Sequence, residues 1–421
     1  EMRKIILILA ALLLGFSAFC QIGEPLPAWQ KGNYDIHFIS TARGESIFMV
    51  MPDGTTMLLD AGESKQRLEQ NAPTTLPDDS RSAGAWVADY VRMFHPQGKD
   101  AKLDYVLISH YHDDHIGSFY LKDPEMHPSG EFQMTRGITD ALSEIPVVKY
   151  IDRGDFPLNT EDFNPDNKDV KWLKKLLPKY RAFTGWLKKE YGTKVEEFKV
   201  GTSKQIVLVK DPKAFKNFEV HNLFANGDVD NGEEIVKAND GKYISENNAS
   251  TGVRVQYGNF AAYFGGDAEG ISSATSTTIK KSVEYNVAKG LRSVDVAKMD
   301  HHGCGNANCI ELLRALKANI RVASCWSVRQ PVQSTMEHIR SPKVFKGPRE
   351  IYCTWEHPAH RITYADWFDK PSGKGKNAFG GHIVIRVAPD TETYDVYVLD
   401  ELTPQRNVKL VRHFESKSKQ K

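Results

Sequence analysis

Cysteine, net charge and long apolar runs are all scarce in this chain, and each shortage removes a class of function. Five cysteines in 421 residues are too few for a disulfide-stapled scaffold. Cys304, Cys309, Cys325 and Cys353 lack zinc-finger spacing, although Cys304 and Cys309 lie close enough in sequence to bridge if they are not simply buried thiols. With 55 Lys and Arg against 54 Asp and Glu, the formal net charge is +1. No global field therefore draws in nucleic acid, and a polyanion would need a local patch. There is no internal repeat, and no biased tract beyond the Lys-rich end at Lys417–Lys421. The one long apolar run, Ile5–Phe16, follows the basic head Met2-Arg3-Lys4 and ends in Ser17-Ala18-Phe19-Cys20. It is too short for a settled membrane span and reads as an export signal over residues 1–20, cut before Gln21. The bulky Phe19 argues against lipid attachment at Cys20. The expected location is then periplasmic or extracellular, with no transmembrane segment left. Removing residues 1–20, which hold Glu1, Arg3 and Lys4, leaves the charge balanced.

What is present describes an ordinary globular chain, 40% hydrophobic and 26% charged. Strand-like runs appear at residues 34–39, 47–50 and 56–59, the last two joined by the turn signal Pro52-Asp53-Gly54. After a polar loop, a helix is predicted over residues 85–94 and a strand over 105–109. Residues 120–200 are irregular and read as a helical insertion. Its longer helix, 171–191, carries Trp172, Leu173, Leu176, Leu177, Tyr180 and Phe183 at helical spacing, with a kink or break expected at Pro178. Its lysines suit either a basic lid or, more simply, a solvated face. Strands are predicted at 205–209, 218–223, 253–257, 261–264, 294–299, 320–324, 350–354, 382–387 and 394–399, and helices at 277–288 and 310–316. The order predicts one layered α/β (α+β) domain over residues 21–400, two sheets flanked by helices, with a tail at 401–421.

The strongest chemical signal is Ser109-His110-Tyr111-His112-Asp113-Asp114-His115-Ile116-Gly117. On an extended segment His110 and His112 point the same way, and a following turn swings Asp114 and His115 towards a nearby second point. Imidazole and carboxylate are donors that a borderline cation such as Zn²⁺ prefers. Gly117 lets the backbone turn sharply after them. Tyr111, between two donors, is expected to point into the core, and His221 reads as a structural histidine. His357, His360 and His382 fall late in the chain and lie outside the motif set.

The six-residue pattern at residues 110–115 within this stretch resembles the signature of the metallo-β-lactamase superfamily, and the flanks extend the likeness. The stretches His37-Phe38-Ile39, Pro52-Asp53-Gly54, Leu59-Asp60-Ala61-Gly62 and Lys298-Met299-Asp300-His301-His302-Gly303 resemble the branch of competence-type (DNA-uptake) metallohydrolases and phosphorylcholine esterases. Together the motifs cover roughly residues 34–330. The resemblance implies a four-layer αββα sandwich with two divalent metal ions, zinc first, with manganese or iron as alternatives. It implies that His110 and His112 hold one metal and Asp114 and His115 the other. It further implies that Asp267 bridges them and His301 completes the second site. His302 either replaces His301 or faces substrate, and Asp114 or His302 would shuttle a proton. Asp60 would fix the histidine loop by hydrogen bonds.

Two departures stand out. The loop that often supplies a third histidine to the first metal reads Glu246-Asn247-Asn248-Ala249-Ser250-Thr251, as in the branch with an Asn/Ser loop, which makes Asn248 and Ser250 candidate supporting residues. The usual Gly-x-Gly-Asp reads Ala42-Arg43-Gly44-Glu45, so Arg43 is either an anion contact or a surface arginine. The implied activity is hydrolysis of a phosphoester or phosphodiester, in a small-molecule or polymer substrate. A lactone or β-lactam hydrolase and a binding module with a vestigial metal site are the alternatives. Oligomeric state leaves no trace in the sequence.

Overall fold

Alternation along short apolar runs sets the architecture. In the computed structural model, which describes residues 22–64, 74–121, 123–160, 164–270, 279–359 and 377–417, the chain first lays down an antiparallel meander of β1 (Tyr34–Phe38), β2 (Ile47–Val50) and β3 (Thr56–Leu59). β4 (Leu103–Leu107), β5 (Val147–Asp152) and β6 (Lys194–Glu197) then add in parallel. A second half repeats the scheme. It contributes β7 (Phe218–Ala225), β8 (Asp228–Asp230), β9 (Ile235–Lys237), β10 (Gly252–Tyr257) and β11 (Phe260–Phe264) antiparallel. β12 (Val296–Lys298), β13 (Ile320–Ala323), β14 (Glu350–Cys353) and β15 (Asn377–Phe379) follow in parallel. β16 (His382–Val387), β17 (Thr393–Leu399) and β18 (Val408–Glu415) return to pair beside β1. The result is two nine-stranded mixed sheets, ordered β18-β17-β16-β1-β2-β3-β4-β5-β6 and β15-β14-β13-β12-β11-β10-β7-β8-β9.

Side chains that alternate on one strand go to different cores. Ile47 and Met49 of β2 enter the cluster between the sheets, with Leu59, Leu107, Val253, Val255, Phe264, Val296 and Ile385. Phe48 and Val50 face outward, under α1 (Ala83–Phe94), α3 (Ile138–Glu144) and α4 (Lys168–Tyr191), where Val87, Leu142, Leu173, Tyr180 and Phe183 cover them; α2 (Asp113–Ile116) is the single turn that carries the acidic motif. The second sheet is covered on its outer face by α5 (Val283–Gly290), α6 (Ile310–Leu316) and α7 (Gln333–Arg340). Four layers, α-β-β-α, follow, and burial of both faces explains why the central strands read as apolar runs. No helix among the described residues is long and apolar enough to cross a membrane.

The structure departs from the sequence expectations in several places, and β8, β9, β15 and α7 form where no strand or helix is predicted. Residues 205–209 do not join a sheet: Ile206 and Leu208 are buried while Val207 and Val209 are exposed. Their backbone bonds to side chains, Tyr105 Oη donating to Val207 O and Val209 N donating to Thr55 Oγ1. The alternation is real, but there is no ladder. Residues 168–191 form one continuous helix through Pro178, because a long apolar face holds both halves against the sheet despite one lost N–H bond. The stretch 120–200 is not purely helical, since it supplies β5 and β6. The expected tail contains β18, an edge strand whose outward Lys409, His413 and Glu415 hide its alternation. The expected signal at residues 1–20, the start of the helix predicted at 277–288, and His360 lie outside the described residues.

Leu173 is fully buried where α4 meets the first sheet. Leu173→Ala is expected to lower unfolding stability by about 2–5 kcal/mol, read by urea denaturation.

Candidate metal centre

The site forms where strands end. β3 runs into Asp60, whose carboxylate accepts from Ser109 N at 2.8 Å and Ser109 Oγ at 2.6 Å, which fixes the segment following β4. Asp60 has φ 59°, a left-handed conformation that Asp tolerates better than most side chains. On the extended segment His110 Nε2 and His112 Nδ1 stand 3.0 Å apart, so the two imidazoles do share a side. α2 then turns within one cycle and is closed by Gly117 at φ 80°. A Cβ on Gly117 would stand 2.5 Å from Thr135 Oγ1. The turn carries Asp114 and His115 inward, and Asp60 Oδ2 lies 2.8 Å from His115 Nδ1. Gly62 lets this turn dock on the β3 loop, since a Cβ there would lie 1.7 Å from Asp114 O.

The second half contributes from the ends of β11 and β12. Asp267 follows Gly265-Gly266, its N–H donating to Ser250 Oγ at 3.0 Å. Its Oδ2 is the point where the histidines converge, 3.2 Å from His115 Nε2, 3.3 Å from His302 Nε2, and 3.8 Å from both His110 Nε2 and His301 Nε2. His302 Nε2 also lies 3.2 Å from Asp114 Oδ2. Asp114, His115, Asp267 and His302 thus each offer a donor atom within 4.8 Å of one another, all four buried. His301 (φ 47°) and His302 (φ 54°) are consecutive left-handed residues, which costs about 1–2 kcal/mol each. Asn308 Nδ2 donates to Asp300 O at 2.8 Å, and Cys304 N donates to His301 O at 2.7 Å, to hold that turn.

Charge in this pocket follows from the carboxylates. Burial alone would keep His302 neutral, yet Asp267 and Asp114 outweigh it and push the imidazole up to about 9. Burial likewise opposes charge on His115, and the same two carboxylates overcome it and raise that imidazole well above its ordinary value. For Asp267 burial would favour the protonated form, but His302 and His115 hold its carboxyl well below the usual range. His110 is pushed well below its ordinary value, by burial first and then by His115, which keeps it a neutral donor. A buried set of imidazoles and carboxylates that attracts positive charge this strongly fits a borderline divalent cation.

The structure brings His110, His112, Asp114, His115, Asp267, His301 and His302 together, and it is His302 rather than His301 that stands in the tight four-residue group. His301 keeps a side chain 21% exposed and faces the cleft. Asn248 Nδ2 donates to Glu269 Oε2 at 2.7 Å, while Asn247 Nδ2 and Asn306 Nδ2 donate to Glu269 Oε1 at 3.0 and 2.7 Å. Arg43 is buried away from the cleft, donating to Thr75 Oγ1 at 3.1 Å with Asp79 at 3.8 Å. His221 is held by Asp230 and Ser203, and His382 is buried, accepting from Ser40 N. Tyr111 is buried and donates to Gly154 O. Cys309, Cys325 and Cys353 are buried free thiols. Sequence reasoning met Glu45 and Lys298 only as motif positions without a role of their own, and overlooked Glu269. Lys298 directly precedes the His301 motif and Glu269 follows Asp267 by two, but a single charge beside a motif carries no signal of burial.

No protein-family model and no curated relative matches the chain. Among solved structures it is similar to the diiron β-hydroxylase CmlA from Streptomyces venezuelae, with 12% identity and TM-score 0.38 over 87% of this chain and 55% of that one. It is also similar to the metallo-β-lactamase fold protein YhfI from Bacillus subtilis, with 14% identity and TM-score 0.32 over 76% and 96%. A third is Zn²⁺-bound PqqB from Methylobacterium extorquens, with 13% identity and TM-score 0.31 over 66% and 75%. The chain spans about half the length of CmlA. These are loose likenesses, and the site stands on its own residues.

Asp60→Asn preserves shape and tolerance of the left-handed backbone but removes the charge behind His115. Zinc affinity is expected to fall about 10–100-fold, measured by competition with a chromophoric chelator.

Proposed function

We propose that this chain is a metal-dependent hydrolase that uses two divalent cations, zinc first and manganese or iron as alternatives, on an anionic phosphoester or phosphodiester after export to the periplasm or the exterior. The observation that carries this reading is the convergence of four histidines on Oδ2 of Asp267. In this reading Asp114, His115, Asp267 and His302 hold one cation. His110, His112 and Asp267 would hold the other, with His301 completing that second group from the cleft side in place of the histidine missing from residues 246–251. A cation pair of this kind lowers the pKa of bound water and stabilises charge developing on an attacked phosphoryl or carbonyl group.

The chain's own residues supply binding and proton handling. A cleft of about 510 Å³ opens over Asp114, Asp267 and His301, walled by Asn247, Asn306, Trp326 and Arg329. Arg329 is exposed on this wall, with no carboxylate partner among the described residues, which favours a substrate carrying negative charge. Asp114 reaches the cleft as well as His302 and is the carboxylate suited to pass a proton between substrate and site. His302 is wholly enclosed, which suits a donor better than a shuttle. On the other side of His112, Trp172 stands with its ring centroid 5.7 Å away, so the first turns of α4 border the site and its more distal lysines face solvent.

Zinc-loaded protein is expected to hydrolyse bis-p-nitrophenyl phosphate, to lose that activity on chelation and to regain it on adding zinc back. Cleavage of nitrocefin alone would reverse the choice of substrate in favour of a cyclic amide or ester. Absence of bound zinc, manganese or iron after gentle purification would return the chain to a binding module. Arg329→Ala is expected to raise KM for the anionic diester about tenfold with little change in kcat, read by steady-state kinetics, which corresponds to roughly 1.4 kcal/mol of lost binding.

A further inference from the structure

We infer that Glu45 and Lys298 form a buried positioning pair that orients His302 and Asp267 towards the cations. The inference rests on the reading of those two residues as metal donors. Both members of the pair are sealed from solvent, Glu45 at 0% and Lys298 at 1% exposure, with the ammonium 3.1 Å from Glu45 Oε2. Apart from that ammonium, neither Glu45 carboxylate oxygen has a hydrogen-bond partner among the described residues, and His302 Nδ1 has none either. Glu45 Oε2 stands 3.6 Å from His302 Nδ1. The carboxylate therefore faces the ring nitrogen turned away from the donor group, while His302 Nε2 faces Asp114 and Asp267.

That arrangement repeats one already present at the neighbouring histidine. Asp60 backs His115 Nδ1 at 2.8 Å, while His115 Nε2 lies 3.2 Å from Asp267 Oδ2. A carboxylate behind a metal-binding imidazole keeps the proton on the rear nitrogen and the lone pair on the front one, and raises the basicity of the ring. Each of the two histidines in the tight group thus has its own carboxylate, one from β3 and one from the loop before β2.

Lys298 acts on the other donor. Its ammonium donates to Gly266 O and lies 3.5 Å from Asp267 Oδ1. Oδ1 is thereby occupied from below, and Oδ2 is the oxygen left facing the histidines. The ammonium also balances Glu45, whose burial alone would be costly. The backbone of Glu45 ties the same parts together. Its N–H donates to Asp114 O at 2.8 Å, and its carbonyl accepts from Gly62 N at 3.0 Å. The loop at residues 42–45 is thus a support beneath the site, and Arg43 on it is buried against Thr75.

An ordinary structural ion pair would look similar, so the test separates fold from metal binding. Glu45→Gln alone takes from the buried Lys298 ammonium the nearer of its two carboxylates and is expected to lower Tm. The double variant Glu45→Gln, Lys298→Met removes both charges at nearly constant volume and is expected to restore Tm close to that of the parent. Its zinc affinity, by competition with 4-(2-pyridylazo)resorcinol, is expected to stay about 10–100-fold below the parent, with a lower kcat and a KM little changed. A folded double variant that binds zinc as the parent does would overturn the inference. If the double variant does not fold, Glu45→Asp keeps the charge pair but withdraws the carboxylate from His302, and unchanged zinc affinity there would overturn it equally. A parent protein that binds no zinc would instead sink the metal reading beneath it.

Discussion

The arrangement depends on one oxygen, Oδ2 of Asp267, which lies within 3.8 Å of four imidazoles. Two of those imidazoles come from the segment after β4 in the first sheet, and two from the turn after β12 in the second. The two halves of the sandwich therefore meet chemically at the point where their strands end. Neither half alone holds a complete donor set, and the packing of sheet on sheet brings the parts into register. The apolar cluster between the sheets is thus part of the site, since a shift of about 1 Å across it would separate the donors.

Such a site is expensive in folding terms. It buries Asp60, Asp267, Glu45 and Lys298 and bends His301 and His302 into left-handed conformations. The surroundings tolerate this because each buried charge faces an opposite one. A second anchor lies at the rim, where Arg153 and Glu246 are both fully buried and joined by two hydrogen bonds of 2.7 and 2.8 Å. Glu246 also accepts from Tyr111 N and from Tyr243 Oη. This pair ties the loop carrying Asn247 and Asn248 to the backbone between His110 and His112. Buried charge and strain gathered around a cleft are expected where binding or chemistry, rather than stability, has shaped the residues.

Much of this was legible in the sequence for a physical reason. The central strands alternate between two apolar cores and so read as apolar runs, and four of the donor residues, His110, His112, Asp114 and His115, cluster within six positions because one strand end and one turn deliver them. What stayed hidden falls into three kinds. β18 and β6 are edge strands with polar outward faces, so their alternation is masked by charge. The segment 205–209 shows the alternation of a strand, yet its backbone satisfies itself on Tyr105 and Thr55, a tertiary outcome that local pattern does not encode. Glu45, Lys298 and Glu269 carry roles set by burial and by partners far along the chain. From sequence alone, Glu45 looked like an altered motif position, and only the fold brings it behind His302. The choice between His301 and His302 likewise rests on two backbone dihedral pairs that no spacing rule predicts.

The central claim is that two cations sit side by side between the halves, joined by Asp267. X-ray absorption at the zinc edge of the fully loaded protein addresses it most directly. The account predicts a shell of nitrogen and oxygen donors only, with imidazole scattering and a zinc–zinc vector of about 3.5–4 Å. A spectrum showing a sulfur donor, or zinc loaded at two equivalents with no metal–metal vector, would contradict it.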